Sequence, residues 1–179
     1  MLLAVLALAQ AAATELPPLV TGTGEPAQTA QCEGKLYRAF DFWAGQWNVF
    51  DRETGQPLGK SRVTSTNNGC ALRETWTPSQ GTAGGSLNAP DLITGRWHQY
   101  WIDSAGQRVD LEGGLFNGTM VLAGPWQRPD RVGQMLVLRI TYSRLDGDSV
   151  RQLAEVSSDD GLTWATSFDH LYLRESAGN

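Results

Sequence analysis

The sequence predicts an all-β protein: an antiparallel up-and-down barrel of nine or ten strands with one short helix at its N-terminal side. Turn signals recur at short intervals, at Glu53-Thr54-Gly55, Asn67-Asn68-Gly69, Thr94-Gly95, Asp103-Ser104-Ala105-Gly106, Asn117-Gly118, Asp146-Gly147-Asp148 and Asp159-Asp160-Gly161. Between them lie segments of Val, Thr, Trp, Tyr and Ile alternating with polar residues, which is the pattern of half-buried strands. Only Lys35 to Ala44 spaces its apolar residues like a helix, with Leu36, Ala39, Phe40 and Trp43 on one face. A meander of this length leaves exposed edges unless it closes, so a barrel with one end plugged by the helix is the expected solution.

The elements follow in order. Met1 to Ala13 reads as a secretory signal, with an apolar run from Leu2 to Ala9 and small residues that satisfy the cleavage rule at Ala9-Gln10-Ala11 or Ala11-Ala12-Ala13. The run is too short to span a bilayer, which needs about 20 apolar residues. Thr14 to Gln31, rich in Pro, Thr, Gly and Ala, reads as a flexible linker to a domain over residues 32–179. A periplasmic or secreted location follows as an expectation, and with it a disulfide between Cys32 and Cys70.

Within the domain, period two assigns faces. Ser61 to Asn67 alternates like a strand. From Cys70 to Thr77, the residues Cys70, Leu72, Glu74 and Trp76 align; from Arg96 to Asp103, Trp97, Gln99 and Trp101 share one side and His98, Tyr100 and Ile102 the other. Met135 to Thr141 is apolar on both faces until Arg139, Leu153 aligns with Glu155, and the last strand aligns Trp164, Thr166, Phe168, His170, Tyr172 and Arg174. Rows of large aromatics carrying one or two hydrogen-bonding groups have the composition of a small-molecule pocket. A filled core whose Glu and Gln point outward is the competing reading of the same rows.

Composition narrows the function classes. Of 179 residues only 18% are charged, the net charge is -5, and there are 7 Trp but 2 His and 2 Cys. No basic surface exists to track phosphates, so nucleic acid is not an expected partner. Gly55-Gln56-Pro57-Leu58-Gly59-Lys60-Ser61 falls one residue short of a phosphate loop and precedes a strand where the mechanism needs a helix. No metal or nucleophile motif appears, and no catalytic residue is assigned. Ser157-x-Asp159-x-Gly161-x-Thr163-Trp164 has the form of an Asp-box, one copy of which reads as a stable hairpin turn rather than a propeller blade.

Phe40-Asp41-Phe42-Trp43-Ala44-Gly45-Gln46-Trp47 resembles the opening of a family of exported bacterial proteins of unknown function that begin with a D-F-W-x-G-x-W motif. The resemblance continues through Gly69 to Trp76, Arg96 to Asp103 and Ser158 to Trp164. It implies a lipocalin-like (calycin) barrel and no established activity. Gly45-x-Trp47 is also similar to the first-strand signature of the wider lipocalin group, which implies that Trp47 closes the barrel floor under Arg174 of the last strand. Both residues would then be structural.

The expected function is binding of a small, largely apolar ligand in the barrel interior. Leu72, Trp76, Trp97 and Trp101 would form walls, with Glu74, Gln99, Arg139 and Glu155 orienting the polar end and His170 on the same wall. No cofactor is expected; haem with His170 as its axial ligand is the alternative. An enzyme on the same barrel, an isomerase or hydrolase, would use His170 or a carboxylate among Glu74, Glu112 and Glu155. A carbohydrate- or protein-binding module would present an exposed Trp126, in Gly124-Pro125-Trp126.

Overall fold

A computed structural model describes residues 32–127, 133 and 135–175. The expected signal at 1–13 and the expected linker at 14–31 lie outside the described residues.

The domain is a closed antiparallel barrel of ten strands in simple meander order, sealed by pairing of the first with the last. The strands are β1 (Gly45–Asp51), β2 (Pro57–Thr66), β3 (Ala71–Pro78), β4 (Gly84–Pro90), β5 (Trp97–Asp103), β6 (Arg108–Phe116), β7 (Thr119–Gln127), β8 (Met135–Leu145), β9 (Ser149–Ser157) and β10 (Ala165–Arg174). Closure sets Trp47 opposite Arg174 and Val49 opposite Tyr172. The expected strand count and topology are therefore what the chain forms.

The single expected helix divides into α1 (Lys35–Arg38) and a 3-10 turn over Asp41–Trp43. The break has a packing cause. Phe40 and Trp43 are three residues apart, both have no exposed surface, and they stack with ring centroids 4.9 Å apart. Tight 3-10 winding brings residues i and i+3 to one side, as that stack requires. Tyr142 of β8 meets both rings, at 5.0 and 4.7 Å. The pair is the plug of one barrel end.

That plug is fastened at several points. The Trp47 indole N–H donates to the Trp43 carbonyl at 2.9 Å, and the Trp97 indole N–H donates to Leu36 at 3.0 Å. Cys32 and Cys70 form a disulfide across 38 residues, tying the segment before α1 to the start of β3. On the chain-entropy account a loop of that length stabilises the fold by about 4 kcal/mol. Arg174 lies 4.3 Å over the Trp47 ring and also reaches Asp148 and the Ala44 carbonyl. A side chain at position 45 would occupy the space of that guanidinium, which is why glycine precedes the tryptophan by two residues.

The Asp-box turn forms between β9 and β10. Asp159 accepts from the Thr163 amide at 2.9 Å and from its hydroxyl at 2.6 Å, while the Trp164 indole donates to Gly161 at 3.0 Å. These bonds hold the Asp159 carboxyl down at about 2. The turn works as a local clamp, as its sequence implies.

Candidate functional site: a cavity at the open end

Inward parity runs through Leu72, Glu74 and Trp76 on β3 and through Trp97, Gln99 and Trp101 on β5, matching the period-two reading. Each row descends from the open end to the plug. Trp97 and Leu72 are 1% and 2% exposed and belong to the packed core beneath the cavity, not to its wall. One inward step higher, Glu74 and Gln99 form part of the cavity floor, and a further step places Trp76 and Trp101 in its walls. The cavity measures about 250 Å³ and is also lined by Val109, Trp126, Leu138, Ile140, Phe168 and His170, with Asp103, Gln107 and Ser167 at the mouth.

Backbone approach shapes one wall. At Gly84 an added Cβ would meet the Trp101 ring at 2.5 Å, so the missing side chain on β4 lets the indole lie against the strand. His170 stacks on Phe168 at 4.2 Å. Burial lowers the imidazole to about 4, outweighing the pull of Asp51 and Asp169, so the ring is neutral at ordinary pH.

The floor is a continuous polar belt crossing the barrel. Ser61 of β2 donates to Glu74 Oε1 at 2.9 Å, and Ser86 of β4 donates to Oε2 at 3.0 Å. Asn88 donates to the Ser86 hydroxyl at 2.9 Å and to the Leu72 carbonyl at 3.2 Å. Gln99 donates to Asn88 Oδ1 at 2.7 Å and to the Tyr142 hydroxyl at 3.0 Å, and that hydroxyl donates back to Gln99 Oε1 at 3.3 Å. Gln152 donates to Tyr142 at 2.9 Å and accepts from the Tyr172 hydroxyl at 2.8 Å. Burial raises the Glu74 carboxyl to about 7 although both serines pull it down, and it holds both phenols protonated.

Two expected site residues lie elsewhere. Arg139 and Glu155 do not line the cavity; they pair with each other at 2.8 Å on the outer face, and Arg139 stacks 3.8 Å over Trp164. The reason is parity: Leu138, Ile140 and Tyr142 face inward on β8, and Gln152 and Ala154 on β9, so the alternate positions, Arg139 and Glu155 among them, face out. The single row expected on the last strand is also broken. A register shift between Thr166 and Phe168 puts Phe168, His170 and Tyr172 inside while Trp164 remains outside. Trp126, expected on the surface, is a cavity wall. Glu74 and Glu112 do not converge either, since Glu112 pairs with Arg96 at 2.6 Å on the exterior, beside His98.

Sequence reasoning missed Ser61, Ser86, Asn88, Tyr142, Gln152 and Tyr172. The available signal was a lone polar group in an inward apolar row, such as Gln152 between Val150 and Ala154. Among the described residues no cluster of His, Cys, Asp and Glu is grouped to hold a metal ion. No protein-family model matches the chain, and no curated protein matches it significantly.

Proposed function

We propose that this is an exported member of the lipocalin-like group resembled by its D-F-W-x-G-x-W motif, and that it binds a small, largely apolar molecule in the barrel interior. The observation that carries the reading is the 250 Å³ cavity itself, walled by Trp76, Trp101, Trp126 and Phe168 over a hydrogen-bonded floor. Apolar walls with a few placed polar groups are the usual build of ligand sites, and this volume lies just under the drug-sized range of about 300–1,000 Å³. It favours a compact organic molecule over haem, as does the stacking of His170 on Phe168. The belt supports binding over catalysis, because its hydroxyls are committed within it and none is aimed as a free nucleophile. The disulfide is compatible with export.

Native mass spectrometry on the secreted or periplasmic protein tests both halves. The expected result is a chain beginning after Ala11 or Ala13, carrying a discrete excess mass that is lost on denaturation. A chain retained in the cytosol with its N-terminus intact overturns the export reading. Failure both to carry a ligand and to show saturable tryptophan quenching by small arylalkyl compounds overturns the binding reading.

A further inference from the structure

Donors and acceptors on the cavity floor are unequally spent. The Ser61 and Ser86 hydroxyls are committed to Glu74, both Asn88 amide hydrogens are used, both Gln99 amide hydrogens are used, and both tyrosine hydroxyls donate within the belt. Only Gln152 keeps an amide hydrogen beyond the bonds described. Acceptor capacity is left over: each Glu74 oxygen receives one hydrogen bond, and a carboxylate oxygen has room for about two. On the floor itself the unspent capacity is therefore mostly acceptor, and it is concentrated on Glu74.

Charge points the same way. Among the described lining residues the ionisable groups are Glu74, Asp103, His170, Tyr142 and Tyr172, with no lysine or arginine. An anionic ligand would meet a carboxylate at the floor and another at the mouth, with no cation to compensate. Above the floor, the walls offer the faces and edges of Trp76, Trp101 and Phe168, and aromatic faces attract cations as well as apolar groups. Along β3, Trp76 stands two residues beyond Glu74, about 7 Å up the strand, which separates a head group from an aromatic body by a short linker.

We propose that the cavity selects a compact amphiphilic amine, its ammonium head donating to Glu74 and its apolar body held between Trp76, Trp101 and Phe168. The proposal rests on the reading of the interior as a ligand site. Ser61, Ser86, Tyr142 and Tyr172 face Glu74 from the other strands, His170 lines the same cavity, and none carries positive charge between pH 5.5 and 8, so the ligand supplies the counter-charge. Burial at about 7 means that Glu74 gives up its proton as the amine seats. Amine affinity therefore rises with pH across neutrality.

Three probes of one size separate the outcomes: phenethylammonium, phenylpropionate and phenethyl alcohol, titrated by tryptophan fluorescence and calorimetry near pH 8 and near pH 5.5. The ammonium is expected to bind at least about tenfold more tightly than the carboxylate near pH 8, and to lose about tenfold or more near pH 5.5. In Glu74→Gln that preference disappears while the alcohol keeps its affinity. Equal or tighter binding of phenylpropionate, or an ammonium preference that survives Glu74→Gln, overturns the head-group inference and leaves the cavity reading standing. If none of the three binds, the cavity reading falls with it. Should Glu74→Gln fail to fold, a pH-independent ammonium affinity in the unmodified protein overturns the inference by itself.

Discussion

The two ends of the barrel use tryptophan in opposite ways. At the plugged end Trp43, Trp47 and Trp97 are at most 1% exposed, and Trp47 and Trp97 donate their indole N–H to backbone carbonyls. At the open end Trp76, Trp101 and Trp126 are only partly buried and stand around empty volume. One strand supplies both ends: β5 gives Trp97 to the core and Trp101 to the cavity, four residues apart on one face. What separates a core residue from a wall residue is whether another element arrives to cover it. The plug covers one end, and it leaves a small trace of imperfect fit, since Trp43 Nε1 is the one buried side-chain N or O atom without a partner among the described residues.

The largest effect that would break this contrast is at Trp43. Trp43→Ala should cost about 4 kcal/mol, in the range for emptying a packed aromatic site, with a fall in the denaturant midpoint. Trp101→Ala at the open end should cost about 1 kcal/mol and act mainly on ligand affinity. Similar losses at the two sites would show that the open end is a packed core.

A second effect comes from Glu74 and His170, two groups of the cavity whose shifts act in opposite directions. His170 is neutral in the fold down to about 4, whereas an unfolded histidine protonates near 6.5. Its contribution is therefore present above about pH 6.5 and is lost as pH falls through that window. Glu74 stays protonated up to about 7, whereas in the unfolded chain it ionises near 4.5. Its contribution is present at low pH and is lost as pH rises toward 7. Each is on the order of 2–3 kcal/mol, and they offset one another between about pH 4.5 and 6.5. Chemical denaturation across that window should show a nearly flat profile. His170→Phe should make stability fall with rising pH, and Glu74→Gln should make it rise. Parallel profiles for the two variants would contradict opposed burial of the pair.

The smallest expected effect is at the rim of the plug. Arg174→Gln removes the stack over Trp47 and should lower stability by about 1 kcal/mol without changing ligand affinity. A loss of binding would mean that the plugged end communicates with the cavity.

Much of this was legible in the residues. Turn chemistry and period two sufficed for the barrel, because a strand that buries one face must alternate along its whole length. The inward rows on β3 and β5 were read correctly, so Glu74, Gln99, Trp76 and Trp101 came out as neighbours of one space. Arg139 and Glu155 were misplaced because β8 and β9 are apolar on both faces near those residues, and alternation there carries no sign. The bulge before Phe168 was invisible for a related reason: one inserted residue reverses the parity of everything before it.

By itself, then, the amino-acid sequence determined the local quantities: where strands turn, which residues share a face, and which glycines admit a close neighbour. The tertiary structure alone decided which face is inside on β8 and β9, how far the plug reaches, and that eight polar side chains from Ser61 to Tyr172 meet in one belt. Alternation is a property of one strand and is written in consecutive residues. Convergence depends on the register and closure of ten strands together, so no single strand's pattern contains it.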